Sequence, residues 1–424
     1  MEIYLVGGAI RDRLLGQPVT ERDYVVVGAT PQQMLDLGFT QVGRDFPVFL
    51  HPQTKAEYAL ARTKRLSSSD GLQNDTTIIP TKSIAPIVHT AYDITLKEDL
   101  QRRDLTINAL AEDSQGHIVD YFNGQRDLEQ RIFRHTSEAF VEDPIRILRV
   151  ARFMARYGSI GFQIAPETQN LMQKMVAAKA LEGVTPERIW KEIDRALIAT
   201  RPSLFFKTLR NCGALAYILP ELDRLWGIPQ PSRWHPEIDT GVHTMLVLQM
   251  ARRLSDDPMV IFAALTHDLG KGETPRLIWP SHRGHEERSV HLIEGVCKRL
   301  RIPNRYCQLA ILVARYHGHI HRAWNLRPRN VLCILEAADA FRNPQRLKSI
   351  LTACEADYRG RTGFAESRYR QKAQFLAWLK AATAIDNRTI VANLESPSMI
   401  EQAITRARLR AIKNCPIVRR MGRG

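Results

Sequence analysis

LVGGAIRDRLLG at residues 5–16 and ERDYVVVG at residues 21–28 decide how this chain begins to fold. Residues 3–6 and 24–27 read as strands, because short β-branched and aromatic runs bounded by turn formers pack well in a sheet. Gly7-Gly8 ends the first run, and Arg11 lies one helical turn beyond. A strand, a glycine pair and a helix N-terminus make an anion cradle around Gly8 and Arg11, because bare backbone N–H groups can approach a phosphate. A simple tight turn would use the same glycines. Glu21-Arg22-Asp23 then leads directly into the second strand. Residues two apart on a strand point to one side, so Glu21 and Asp23 converge on a point that suits Mg²⁺ and its octahedral oxygen shell. Glu57, starting another strand run, can supply a third carboxylate. Two metals held this way stabilise the attacking and leaving oxygens of a phosphoryl displacement. An isolated acidic pair is more often a solvated surface feature, so the pattern gains weight only from what surrounds it.

Around that core, residues 48–50 and 58–61 also read as strands and 31–37 as a helix, which together suggest a small mixed sheet. Residues 66–92 are polar and rich in Ser, Thr and Pro, and read as a long mobile loop of the functional or disordered kind. From Asp143 the pattern turns helical. Segments 143–157, 166–179, 185–199 and 203–212 carry apolar residues at helical spacing. PQPSRWHPE at 229–237 marks a boundary, a His-rich helical region follows to about residue 341, and ARLRAIK and VRRMGRG close a basic helical tail. There is no internal repeat.

The chain has 424 residues, 44% of them hydrophobic and 25% charged, with a formal net charge of +15. The length predicts two or three domains. The basic surplus favours a polyanionic partner, of which nucleic acid is the common one. No apolar run approaches the roughly 18 residues of a membrane span, and the start lacks the features of a signal peptide, so the expectation is a cytoplasmic protein with no membrane partner. Cys212, Cys297, Cys307, Cys333, Cys354 and Cys415 form no CxxC pair and read as reduced packing residues.

The His-rich region carries a second set of ligands. FAALTHDLGKG at 262–272 puts His267-Asp268 at the end of an apolar helix, and His243 and Asp339 complete a spaced N and O donor set. Imidazole and carboxylate together suit a divalent metal such as Mn, Co or Ni. A lone buried histidine is more often a hydrogen-bonded core residue, but HDLGKG is a specific string.

The first two stretches, with RRDLTINAL (102–110), EDPIRILRVARF (142–153) and TPERIWKEI (185–193), resemble in order the motifs of the class II tRNA nucleotidyltransferases and bacterial poly(A) polymerases, relatives of DNA polymerase beta. The His-rich region resembles the HD phosphohydrolase superfamily. The combination is similar to the bacterial CCA-adding proteins that carry an HD domain. The resemblance implies an α+β fold: a polymerase-beta-like head at 1–141, a helical neck and body at 142–228, an HD domain at 229–345 and a helical basic tail at 346–424. It implies transfer of CMP, CMP and AMP from CTP and ATP to a tRNA 3′ hydroxyl, Mg²⁺ on Glu21 and Asp23, and triphosphate and ribose contacts by Arg103 and Asp104 at the start of a helix over 104–110. It places Asp143 and Arg146 where a template would be, with Arg149 and Arg152 on the same helix. Cytosine and adenine each present an amine beside an unprotonated ring nitrogen, so an Asp acceptor and an Arg donor fit both. Uracil and guanine would leave groups unpaired at about 1–3 kcal/mol each.

For the HD part the resemblance implies phosphomonoester or 2′,3′-cyclic phosphate hydrolysis with Ni²⁺ or another transition metal, a phosphate contact by Lys271, and His285 and His317 as ligands of a second metal. The expected assembly is a monomer or a homodimer. The sequence departs from the family at Glu21, where the motif has Asp, at Gly318, where relatives have Asp after the histidine, and in the 66–92 segment, where relatives of this subgroup have a shorter Gly-rich loop linked to the switch from C to A. Two rivals stay open: a poly(A) polymerase, and a tRNA-binding relative without strong catalysis.

Overall fold

The computed structural model describes residues 1–42, 48–61, 63–64, 88–89, 93–386, 389 and 396–416. Apart from the two-residue strand Val88–His89, the segment expected as a mobile loop at 66–92 lies outside the described residues, as does the VRRMGRG tail. The described residues form two compact units: residues 1–188 with 208–214, and residues 189–207 with 215–424. The expected head (1–141) and most of the expected neck (142–188) therefore share one unit.

The first unit is built on β1 (Glu2–Val6), α1 (Gly8–Leu14), β2 (Asp23–Val27), α2 (Pro31–Asp36), β3 (Thr40–Val42), β4 (Val48–Leu50), β5 (Glu57–Leu60), α3 (Leu96–Gln101), β6 (Leu110–Glu112), β7 (Ile118–Asp120) and α4 (Gly124–Glu129). Its seven-stranded sheet runs β3-β4-β5-β2-β1-β6-β7. Only β2 and β5 are parallel neighbours; the other pairings are antiparallel. The apolar run of β2 is continuous because successive side chains face opposite sides and both sides are covered. Val25 packs with Val6, Leu100 and Ala111, while Val26 packs with Met34, Phe49 and Leu60. Capping boxes start α2 at Thr30 with Gln33, and α3 at Thr95 with Glu98.

The helix expected over 104–110 is instead a single 3-10 turn, Thr106–Asn108, running into β6. Leu110 and Ala111 are fully buried in the sheet, and ladder pairing overrides the helical reading of NAL. Then come α5 (Ile145–Tyr157), α6 (Pro166–Ala177), α7 (Pro186–Leu197) and α8 (Pro202–Asn211). Helix α5 buries Ile147, Leu148, Val150, Ala151 and Phe153 and leaves its arginines on a part-exposed stripe.

The second unit is helical: α9 (Ala214–Ile218) and α10 (Pro220–Asp223) begin near its start, followed by α11 (Thr240–Leu254), α12 (Pro258–Thr266), α13 (His285–Arg299), α14 (Asn304–His321), α15 (Pro328–Ala337), α16 (Pro344–Gly360), α17 (Arg370–Thr383) and α18 (Pro397–Asn414). Asp239 and Asp257 cap α11 and α12 through the N–H groups of Val242 and Met259. From Val260 to Thr266 every residue of α12 is buried, which explains its lack of a polar face. Gly360 lets α16 lie against α11, since a Cβ there would sit 2.7 Å from the Cα of Val247. Helix α16 starts at Pro344, beside the expected boundary at 345, runs on to Gly360 and packs against α11. Among the described residues no helix is long and apolar enough to cross a membrane.

Candidate functional site

In the first unit the sheet register assembles the acidic group. Asp23 opens β2, opposite Val6 of β1 on one side and Glu57 of β5 on the other. Val6 leads straight into Gly7-Gly8, so the glycine pair, Asp23 and Glu57 come from three adjacent strand ends, with Glu21 two residues before Asp23. Glu21, Asp23 and Glu57 are all exposed. Their oxygens do not gather as a trio within 4.8 Å, a closeness that the described residues reach only in the second unit. The protein around Asp23 thins its solvent and raises its carboxyl pKa, Arg103 pulls the other way, and the like charge of Glu21 adds to the rise.

Gly7 has φ +71°, the left-handed region that favours glycine, and the Arg103 guanidinium lies against it, 2.9 Å from where a Cβ would stand. Arg103 reaches Asp99 at 3.4 Å, and its Nε is buried without a hydrogen-bond partner. A cation held against the glycine turn and electrostatically coupled to Asp23 can take the charge of a triphosphate.

Two residues expected as ligand contacts are engaged within the protein. Arg11 is 4% exposed, bonds Asp12 at 2.8 Å and Asn108 at 2.5 Å, and lies over the rings of Phe153 and Tyr157. It ties α1 to α5. Asp104 is likewise buried. It accepts from Leu105 N and Asn108 Nδ2, both at 2.9 Å, and from Arg149 Nε at 2.7 Å. Burial alone would raise its pKa, but Arg149 and Asn108 hold it well below the usual carboxylate range. Asp104 anchors Arg149.

Asp143 and Arg146 sit one turn apart at the start of α5. Asp143 pairs with Arg188 at 2.7 Å. Arg146 donates to the carbonyls of Ala139, at 2.6 Å, and of Arg102. A guanidinium has five N–H donors, so these backbone bonds fix its plane and leave donors for a base. Burial lowers the Arg146 pKa, with Asp104 and Asp143 opposing. The Arg152 guanidinium lies 4.7 Å from the centre of the Phe153 ring.

In the second unit a histidine cluster is nearly solvent-free. His243 comes from α11, His267 and Asp268 follow α12, His285 opens α13, His317 lies on α14, and Asp357 lies on α16. Ligand atoms of His243, His267 and Asp268 approach within 4.8 Å of one another, as do those of His267, His317 and Asp357, and those of Asp268, His285 and His317. His243 Nε2 is 3.0 Å and His267 Nε2 3.7 Å from Asp357. His267 Nδ1–H donates to Ala264 O at 2.8 Å and His317 Nδ1–H to Ala314 O at 2.8 Å, leaving both Nε2 atoms facing inward. Glu237 Oε1 lies 2.7 Å from His243 Nδ1 as its ion-pair partner.

His267 Nε2 and both Asp268 oxygens are buried without a hydrogen-bond partner, although Lys271 Nζ lies 2.6 Å from one of those oxygens. Orphaned ligand atoms facing one another fit a divalent cation. Burial would discourage charge on His267, but Asp268 and Asp357 outweigh it and raise its pKa. Burial would raise Asp268, but His267 and Lys271 hold it well below the ordinary value.

Asp339 does not join this cluster. It sits just past α15 with φ +53°, and its carboxylate pairs with Arg342 at 2.7 Å at the surface. Asp357 takes the expected place. The signal for it was faint: an acidic residue at a buried position of the amphipathic pattern CEADY (354–358). Glu237 and His321, which grip His243 and Asp357, were also missed.

Comparison with known proteins gives three family matches along the chain. Residues 3–134 match the poly A polymerase head domain family, 161–225 the probable RNA and SrmB-binding site of polymerase A, and 240–343 the HD domain family. The chain is 55% identical over 413 residues to the multifunctional CCA protein of Thioalkalivibrio sulfidiphilus (strain HL-EbGR7), covering 97% of this chain and 98% of that one. Its fold is similar to the CCA-adding enzyme of Bacillus stearothermophilus solved with CTP, at TM-score 0.63 and 20% identity over 96% of this chain and 87% of that one. The CCA-adding enzyme of Thermotoga maritima complexed with tRNA gives TM-score 0.59 and 18% identity over 98% and 88%.

Proposed function

The chain belongs to the class II tRNA nucleotidyltransferase and poly(A) polymerase family, in its multifunctional CCA branch with an HD domain, and on that premise we propose that it completes the CCA end of tRNA from CTP and ATP without a nucleic acid template. The observation that carries this reading is the register Val6–Asp23–Glu57, which sets two carboxylates beside a glycine turn backed by Arg103. The tRNA 3′ oxygen bonds to the α-phosphorus, the bond to the bridging oxygen breaks, pyrophosphate leaves and the hydroxyl proton passes to solvent. Mg²⁺ on Glu21, Asp23 and Glu57 would activate the attacking oxygen and neutralise the leaving one.

Arg103 offsets triphosphate charge at the glycine turn. Asp143 accepts from the amine of cytosine or adenine and Arg146 donates to the ring nitrogen, once Asp143 exchanges Arg188 for the base. Basic helices hold tRNA through its backbone. Incubating the protein with tRNA lacking CCA, plus CTP and ATP, tests the reading. Three added nucleotides support it, a long A tract supports a poly(A) polymerase, and no product supports a binding protein.

The histidine cluster is proposed as a phosphohydrolase for phosphomonoesters or 2′,3′-cyclic phosphates. His243, His267, Asp268 and Asp357 would hold Ni²⁺ or a related transition metal, which supplies an activated water. His285 and His317, 3.3 Å apart through their Nε2 atoms, would hold a second ion with Asp268, and Lys271 would meet the phosphate. Absence of hydrolysis with Ni, Co, Mn and Mg would reduce the cluster to a structural role.

A further inference from the structure

We infer that Arg361 is a phosphate-binding residue of the histidine cluster, acting with Lys271 on the oxyanion of a phosphate ester; the inference rests on the hydrolase reading of that cluster. Arg361 caps α16 one turn beyond Asp357. The next residue, Thr362, donates its backbone N–H to Glu237 Oε2 at 3.2 Å, and the other oxygen of Glu237 holds His243. The backbone at 361–362 is therefore fastened to the cluster from two directions, through α16 and through the loop that carries Glu237. The guanidinium lies over Tyr358 at 5.4 Å from the ring centre. Tyr358 packs against Tyr369 at 5.3 Å, and the Tyr369 hydroxyl meets His321 Nδ1 at 2.9 Å. His321 Nε2 in turn lies 2.5 Å from Asp357.

Against this placement the guanidinium lacks an anion. Among the described residues no carboxylate pairs with Arg361, and its Nε is buried with no hydrogen-bond partner. Arg359, two residues earlier, shows the contrast: it pairs with Glu355 at 3.0 Å and donates twice to Ala365 O. A half-buried guanidinium with an unpaired N–H is costly unless an anion arrives from outside. Lys271 Nζ lies 2.6 Å from Asp268, and Arg361 follows Asp357 by one turn at the end of α16. Lys271 is held there by Gln230 at 2.6 Å and is 7% exposed. A compact ammonium and a planar fork are complementary holders of one phosphate group, the fork giving two parallel N–H···O bonds. The chemistry is that of a phosphate oxyanion, shared by monoesters and diesters.

The test uses the full chain loaded with Mn²⁺ or Co²⁺, with inorganic phosphate as the probe. Metal binding and phosphate binding are measured separately by calorimetry. Arg361→Gln is expected to weaken phosphate on the order of ten- to a hundredfold, the loss of a charge-assisted contact, with metal affinity unchanged. Arg361→Lys should recover part of that loss, since it keeps the charge without the fork. Unchanged phosphate affinity in metal-loaded Arg361→Gln overturns the inference and leaves the hydrolase reading intact. Loss of metal in that variant also overturns it, by making Arg361 a support of the ligands. Wild-type protein that takes no metal, or takes metal but no phosphate, overturns the hydrolase reading and the inference with it.

Discussion

Exchanging Asp357 for Asn should cost the histidine cluster its metal, while Asp339→Asn should not. The Asp357 side chain is 5% exposed, and its oxygens lie 3.0 Å from His243 Nε2 and 2.5 Å from His321 Nε2. Asn keeps the volume and removes the charge. Two unit charges about 4 Å apart interact by about 4 kcal/mol at an effective dielectric near 20, and a divalent ion among ligand atoms that lie within 4.8 Å of one another feels at least that. Metal affinity should therefore fall about a thousandfold. Asp339 pairs with Arg342, whose side chain is 85% exposed. Such surface pairs contribute about 0–1 kcal/mol, so Asp339→Asn should leave metal affinity unchanged. Titration of both variants with Co²⁺, followed by its visible absorption and by calorimetry, reads the difference. Tight metal binding by Asp357→Asn, or its loss in Asp339→Asn, would refute the assignment of the ligand set.

Four further outcomes follow from the same geometry. Asp23→Ala should abolish nucleotide addition with the fold retained by circular dichroism, and Glu21→Asp should keep or raise the rate; full transfer by the double Ala variant sinks the carboxylate assignment. Arg146→Ala should lower use of CTP and ATP together and narrow the margin over UTP and GTP by at most a few kcal/mol, as read from specificity constants for all four nucleotides. Asp104→Asn should cost about 2 kcal/mol at neutral pH through its buried bonds to Arg149 and Asn108. Because the folded pKa of Asp104 is depressed, that stability is present above the unfolded value near 3.9 and fades as pH falls toward the folded one, so thermal unfolding of wild type and variant should draw together below about pH 4; a gap that widens there contradicts the assignment. Gly270→Ala would drive its Cβ into the backbone of His285 and Ser289, so it should lower stability by about 3 kcal/mol; a denaturation midpoint equal to wild type would show that the HDLGKG turn is not so tightly held.

Four strands of the sheet and the two ligand regions were legible because their signals are local. Alternating or doubly buried runs give strands, the run at 31–37 gives its helix, and His267-Asp268 announces itself by adjacency. What was not legible depends on distant packing. Asp104 and Arg11 look like surface ligands beside a glycine turn, yet contacts with Arg149, Asn108 and Phe153 bury them. The NAL end of RRDLTINAL is a strand only because β1 pairs with it. Asp357 reaches His243 from 114 residues away, because α16 crosses α11 at Gly360; no spacing rule along the chain encodes that crossing, whereas Asp339 sat closer in sequence to the HD motif.

Sequencing the 3′ ends formed when the protein meets tRNA lacking CCA in an equimolar mixture of all four nucleoside triphosphates tests the central claim most directly. Side chains that select the base predict ends that stop at C-C-A, with U and G absent, and no extension by Asp23→Ala. Ends carrying U or G, tracts that run beyond the third nucleotide, or extension by the Asp23 variant would contradict it.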